Sequence, residues 1–319
     1  MLNRRILRIK AFKVLYSSVL ADNMTLAHAE TQLDVSCEAT RDLYIYMLGI
    51  VSPLTAIARE RIEAAKAKFN PTEEELNPNM KFVENALATL LDDDPDFNKI
   101  FAKKKFSWQQ YDLFLKKVMT SVMSKQYYAD YMASQTRSLE EDCKLFIRIF
   151  EEEFVDSEDL ERILEDKSLY WNDDLAYSLT WCCKTLKSLA KGENWSLLPL
   201  YQSDMMAGTG VESDKFFVRK LLQAAFAGYE KYSAMIAENV TGWEKERLFS
   251  TDMVLICMGL AEVVTFPTIP VKVTMNEYVE ISKYYGTPKS RSFVNGLLDR
   301  LVLKLTEEGQ VRKEGKGLL

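Results

Sequence analysis

VKVTMNEYVEISKYYGTPKSRSFVNGLLDRLVLKL (residues 271–305) holds two helical patterns and the turn between them. In the first, Thr274-x-x-Glu277 has capping-box spacing, a mark of a helix start. Gly286 closes that pattern as a left-handed C-cap would. The second pattern, from Ser290 to Leu305, brings Phe293, Val294, Leu297, Leu298, Leu301 and Leu305 onto one face, which predicts a buried stripe. Gly296 interrupts it. A glycine inside a helix costs about 1 kcal/mol relative to alanine, so something should require it. Close approach of a neighbouring helix is the preferred explanation, and close approach of a ligand is the alternative.

The same helical spacing extends almost throughout the chain. Residues 3–21 read as one helix, ended near Asp22-Asn23. Thr25 can cap a second of about a dozen residues with Leu26, Ala29 and Leu33 on one face. A long amphipathic helix is predicted from Thr40 to about Lys68, stopped by Asn70-Pro71. Further helices are predicted over 79–91, 107–135, 138–154, 157–165, 171–190 and 214–238. The punctuation falls at Asp92-Asp93-Asp94-Pro95, Lys191-Gly192 and Gly208-Thr209-Gly210. After a short link that includes Trp243, another helix presents Ile256, Leu260 and Val263 on one face and ends at Pro267 and Pro270. No segment alternates with period two for long enough to make a strand. The expected fold class is all-α.

The composition narrows the function. The chain has 319 residues, 47% hydrophobic and 28% charged, the balance of a soluble globular protein. No apolar run approaches the roughly 20 residues that span a bilayer. The opening MLNRRILRIKAFKVLY lacks the continuous apolar stretch of a secretory signal, so a cytoplasmic protein without membrane contact is expected. The five cysteines (Cys37, Cys143, Cys182, Cys183, Cys257) lie in mostly apolar contexts without C-x-x-C spacing and read as reduced, buried thiols. A single histidine, His28, leaves little room for zinc chemistry or a catalytic triad. No metal or cofactor is expected, and no catalytic residue.

Charge is distributed unevenly. Residues 1–20 carry five cations and no acid, residues 281–319 carry eight cations and four acids, and the remaining 260 residues have a net charge of −15. Two basic ends on an acidic body suggest a local polyanion site. Arg4, Arg5 and Arg8 fall at helical spacing on one face, and the guanidinium fork matches phosphate oxygens. Cations at a helix start oppose the macrodipole, and no acid in that segment offsets them. Other motifs have plainer readings. Phe101-Ala-Lys103-Lys104-Lys105-Phe106-Ser-Trp108 mixes cations and aromatics as single-strand binding surfaces do, but a loop with docked aromatics and wet lysines is preferred. Gly208-Thr209-Gly210 lacks the strand and lysine of a phosphate loop. EEEFVDSEDLERILED (151–166) reads as a solvated helix face.

Together these residues resemble a known family. VTMNEYVEISKYYGTPKSRSFVNGLLDRL (273–301) is similar to the C-terminal signature of the NusB family of transcription antitermination factors. Asn276-Glu277 opens one helix of that signature, Tyr285-Gly286 closes it, and Ser290 through Asp299 open the last. Residues 216–270 are similar to the family's middle helices, and RRILRIKAFKVLYSSVLAD (4–22) resembles its arginine-rich first helix. The resemblance covers about 1–38 and 213–306. It implies a NusB-like helical bundle with additional inserted helices. Residues 1–38 would give the N-terminal helices and basic segment, 39–212 a helical insertion, 213–306 the C-terminal bundle and 307–319 a basic flexible tail. Residues 39–212 could instead hold a degenerate copy, since FLKKVMTSVM (114–123) is loosely similar to FVRKLLQAAF (217–226). Alternatively, 41–68 could supply the third family helix; 214–238 is preferred for that place because only a short link joins it to the next family helix.

The resemblance implies a non-catalytic RNA-binding factor. It would bind the single-stranded boxA element of ribosomal RNA transcripts, together with the ribosomal protein NusE, in the RNA polymerase antitermination complex. Arg4, Arg5, Arg8, Lys10 and Lys13 would hold phosphates. Tyr16, Lys289, Ser290, Arg291, Phe293 and Asn295 would line the contact between the first helix and the start of the last. The family includes monomers and homodimers, and the helix at 244–265 is the guess for the NusE surface. Two rivals belong to other classes. One is a protein–protein adaptor in transcription or ribosome assembly with negligible RNA affinity. The other is an RNA-modifying enzyme, which would need a separate α/β domain that the helical reading of 39–212 does not offer.

Overall fold

A computed structural model of the chain describes residues 1–21, 25–206, 212–240 and 250–318. The motif at 208–210, the helix stop at Asp22-Asn23 and Trp243 lie outside the described residues. The described residues contain helices and no strand, apart from one isolated bridge between Leu2 and Tyr201. None of these helices is long and apolar enough to cross a membrane. The chain divides into two compact units, Met1–Cys37 with Pro199–Leu319, and Glu38–Leu198 between them in sequence.

The first helix, α1 (Arg4–Leu20), starts at Asn3, whose side chain accepts the Ile6 N–H at 3.1 Å. The next, α2 (Leu26–Leu48), is one helix of 23 residues where two were expected. Just past its end, Gly49 gives room to a distant ring: a Cβ there would meet the Phe101 ring at 1.9 Å. The chain restarts as α3 (Val51–Lys66). The unit Glu38–Leu198 continues with a short turn of helix, α4 (Glu73–Leu76), then α5 (Ala86–Asp92) and α6 (Pro95–Lys104). The last of these was not foreseen. Asp94-Pro95 reads as loop punctuation, yet the Asp94 carboxylate caps the Phe97 N–H and Pro95 takes the first helical position, where its missing N–H costs nothing.

The predicted helix 107–135 is two, α7 (Asp112–Met123) and α8 (Gln126–Ala133). After them come α9 (Leu139–Ile149), which runs into a π-turn to Phe154, then α10 (Glu158–Lys167) and α11 (Leu175–Ala190). Trp108 stacks on Tyr46 at 4.3 Å and donates to the Tyr46 carbonyl, with Trp171 on the same ring at 5.3 Å. The aromatics of the 101–108 run thus dock as expected, although Phe101, Lys103 and Lys104 belong to a helix rather than a loop. All five cysteines are buried.

The other unit is completed by α12 (Asp214–Asn239), α13 (Ser250–Thr265), α14 (Val271–Tyr285) and α15 (Ser290–Glu307). Here α13 is central, packed by α1, α12, α14 and α15. Val254 to Met258, Leu260, Ala261 and Val263 have no exposed surface, the mark of a helix apolar all round. Gly259 lets Leu298 of α15 come close, at 2.9 Å from where a Cβ would stand.

Four expectations in this unit are corrected. Thr274 is not a cap: α14 starts after Pro270, with no side-chain cap, and Thr274 lies within it. Gly286 is extended rather than left-handed, with φ −106° and ψ −172°; it is required because a Cβ would strike Ser290 at 2.4 Å. Gly296 is exposed, and no described atom lies within 4 Å of where its Cβ would be, so helix packing does not explain it. Phe293 is half-buried and stands apart from the buried stripe of Val294, Leu297, Leu298, Leu301 and Leu305. The end of the chain differs too. Lys313 donates to the carbonyls of Val263 and Phe266, both at 2.9 Å, and the Glu314 N–H bonds the Pro267 carbonyl, so this segment is docked on the unit.

Candidate nucleic-acid interface

The basic first turn of α1 meets acids contributed by other helices and by Glu212, just before Asp214–Asn239. Arg4 pairs with Glu212 at 3.0 Å and with Asp214 at 3.3 Å, and stacks on Phe217. Arg5 makes a two-pronged contact with Glu277 of α14, at 2.9 and 2.7 Å. Arg8 does the same with Glu262 of α13, at 2.8 and 2.7 Å. The lack of local acids read from residues 1–20 is therefore made good across the fold.

These pairs are not equivalent. The Arg8 and Glu262 side chains are 4% and 0% exposed. Glu262 also accepts from Thr274 Oγ1 at 2.8 Å and from the Tyr278 hydroxyl at 3.0 Å, so both oxygens are fully used. Burial works against the Arg8 charge, but the Glu262 hydrogen bonds and charge outweigh it and hold its pKa above the ordinary value. The Tyr278 hydroxyl is pushed well up, first by burial and then by the Glu262 charge. A buried, hydrogen-bonded carboxylate–guanidinium pair ties α1, α13 and α14 together. An incoming phosphate would have to displace a carboxylate held by four donors. Lys10 is buried as well, at 1% exposure, and so is Ser290, whose Oγ donates to Asp252 at 2.8 Å and accepts the Thr287 N–H at 2.8 Å. Three of the residues expected to touch RNA (Arg8, Lys10 and Ser290) are placed in the interior.

The others share a surface. The Arg5 side chain is half exposed, and its hydrogen bonds hold the Glu277 carboxyl below its usual range against partial burial. Further along α1, Lys13 lies over the Tyr285 ring at 5.5 Å, and Phe12 bridges Tyr16 and Tyr285 with centroids at 6.0 and 5.4 Å. One turn after Glu277 on α14, Glu280 pairs with Lys283 of the same helix and also feels Arg291 of α15 and Arg5. Lys289, just before α15, and Arg291 and Asn295 on it are exposed. The start and middle of α1, the outer face of α14 and the first turns of α15 thus form one surface of mixed cations and tyrosines, with Glu277 and Glu280 set among them. By count from the sequence, the unit that bears it has a net charge of +2, while residues 38–198, with 21 cations and 29 acids, have −8.

Sequence reasoning missed Glu262, Tyr278, Glu277 and Glu280 as partners of the basic helix. One signal was present: Glu262 is the only charged residue in LICMGLAEVVT (255–265), and an acid in so apolar a run should be buried and paired. His28 is exposed, and no group of metal-ligating side chains occurs among the described residues.

A model of the NusB family matches residues 194–303. The chain is 34% identical over 107 residues to the transcription antitermination protein NusB of Salinibacter ruber, covering 34% of this chain and 67% of the relative. It is 36% identical over 92 residues to the NusB protein of Bacillus licheniformis, 29% of this chain and 70% of the relative. For the Chloroherpeton thalassium protein the figures are 33% over 105 residues, 33% and 50%. No solved structure matches.

Proposed function

The chain belongs to the NusB family, and from that premise we propose that it acts in transcription antitermination by binding boxA-type single-stranded RNA together with the ribosomal protein NusE. The observation that carries this reading is the shared surface of α1, α14 and α15. Single-stranded RNA is held by cations on its phosphates and by side chains that stack on or hydrogen-bond its bases. Arg5, Lys13, Lys289 and Arg291 supply cations there, Tyr16 an aromatic ring and Asn295 an amide. Arg8, Lys10 and Ser290 are buried, and Arg8 and Ser290 tie together the helices that present this surface. Arg4 lies at its edge, committed to Glu212 and Asp214. Glu277 and Glu280 temper the charge, so affinity for arbitrary polyanions is modest and NusE adds to the contact.

A salt titration with a boxA RNA and a scrambled control, with and without NusE, tests this. Four phosphate contacts at roughly −0.7 each predict log affinity falling with log salt at a slope of about −3. Equal affinity for both RNAs, or none even with NusE, moves the assignment to the protein–protein adaptor.

A further inference from the structure

We infer that Glu277 is a positioning residue of this surface: it grips Arg5 by one edge of the guanidinium and so aims the opposite edge at a phosphate. The inference rests on the RNA-binding reading above and gives one of its acids a part in holding the ligand.

A guanidinium has five N–H donors in one plane, and so more than one edge on which two parallel hydrogen bonds can meet a carboxylate or a phosphate. Arg5 spends its Nε–Nη2 edge on the protein. Nε donates to Glu277 Oε2 at 2.9 Å and Nη2 to Oε1 at 2.7 Å. It makes no other hydrogen bond or ion pair with a described residue, and its side chain is 52% exposed. The Nη1–Nη2 edge is therefore left for a ligand, which can bind there without displacing Glu277.

Arg8, one turn further along α1, supplies the comparison. It meets Glu262 by the same edge, with Nε at 2.8 Å and Nη2 at 2.7 Å. Its Nη1, however, faces Glu277 Oε2 at 3.7 Å, and the side chain is 4% exposed. The two arginines are held alike and differ in what stands at the outer edge, a carboxylate for Arg8 and solvent for Arg5.

Glu277 is itself well placed to act as a clamp. Its side chain is 17% exposed and lies between the two guanidiniums. It follows Thr274 by one turn and adjoins Tyr278, the two α14 residues that donate to Glu262. The Arg5 hydrogen bonds hold its carboxyl below the usual range, so the clamp is charged at neutral pH. A chain of charged contacts thus runs from the buried Glu262 through Arg8 and Glu277 to Arg5 at the surface. Fold stability does not account for its last link, because an exposed ion pair adds little. A carboxylate among cations that meet RNA also repels phosphate. Orientation offsets that repulsion: an arginine already fixed in place loses less rotamer freedom when its ligand arrives.

The experiment uses the full chain and boxA RNA. Glu277→Gln should weaken binding roughly three- to tenfold, although it takes a negative charge off the surface. Glu280→Gln takes off the same charge, from a carboxylate paired with Lys283 rather than with an arginine, and should strengthen binding. In an Arg5→Ala background, Glu277→Gln should no longer weaken it, and far-UV circular dichroism should show each variant folded. In NMR spectra the Arg5 Nε–H signal, assigned by its loss in Arg5→Ala, should exchange slowly in wild type and fast in Glu277→Gln, and should stay protected when RNA is added. Tighter binding in Glu277→Gln, weakening that persists without Arg5, or an Arg5 Nε–H that loses protection in the complex overturns the inference and leaves the RNA reading standing. A wild-type protein that binds no boxA RNA even with NusE refutes both.

Discussion

Replacement of Arg8 by alanine separates a cation that holds the fold from one that meets a ligand. The substitution removes two charge-assisted hydrogen bonds, at 2.8 and 2.7 Å, from a carboxylate with no exposed surface. It also removes a guanidinium stacked on Phe217. Thr274 and Tyr278 still donate to Glu262, but two neutral donors do not balance a buried charge. Breaking one side of such a pair costs about 3–5 kcal/mol. With a urea m-value of about 2 kcal/mol/M, the midpoint should fall by roughly 1.5–2.5 M. Arg5→Ala removes an equally well-formed pair from the surface and should cost under about 1 kcal/mol. Urea denaturation followed by far-UV circular dichroism measures both. Arg8→Met combined with Glu262→Gln, which leaves no buried charge, should recover at least about half of the loss, because desolvation of the pair offsets much of its attraction. If Arg8→Ala unfolds within about 1 kcal/mol of Arg5→Ala, the pair does not hold these helices and the reasoning fails.

Three further outcomes follow from the same geometry. Gly296→Ala should stabilise the protein by about 0.5–1 kcal/mol, because the new methyl meets nothing and alanine favours the helix; thermal melts would show it. The thiols should react slowly with a disulfide reagent at pH 8 until the chain is unfolded, since burial pushes Cys143 and Cys257 up to about 12 and Cys183 to about 11; fast release of any of the five in the folded protein would contradict it. Glu277 has its pKa lowered in the folded state from an ordinary value of 4.5, so its contribution is complete above that value and is lost as pH falls through the folded value. Glu277→Gln should therefore cost less stability at pH 3 than at pH 7, as melts at the two pH values would reveal.

Much of the helical frame could be read from local sequence, and the departures share a physical cause. The helices expected over 3–21 and 214–238 are found at Arg4–Leu20 and Asp214–Asn239, because apolar spacing and terminal residues act within a few positions. Gly49 has to be a glycine because Phe101 occupies the space beside it, a contact that no local pattern carries. Asp94-Pro95 was ambiguous in itself, since the same pair that closes a loop also opens a helix. The basic helix shows the limit most clearly. Arg4, Arg5 and Arg8 are alike in sequence and differ in role because their partners lie more than 200 residues away. Helical spacing put them on one side of α1, but three neighbours at different depths decided which stays exposed.

The most direct test of the account is the salt dependence of boxA RNA binding in wild type and in an Arg5→Ala/Arg291→Ala double variant. Both side chains reach solvent and neither belongs to the buried network, so the variant should fold as wild type does. The account predicts a wild-type slope of about −3 that flattens by roughly 1.4 in the variant, with the preference over scrambled RNA retained in part. An unchanged slope would contradict it, because the RNA would then be held by some other part of the protein.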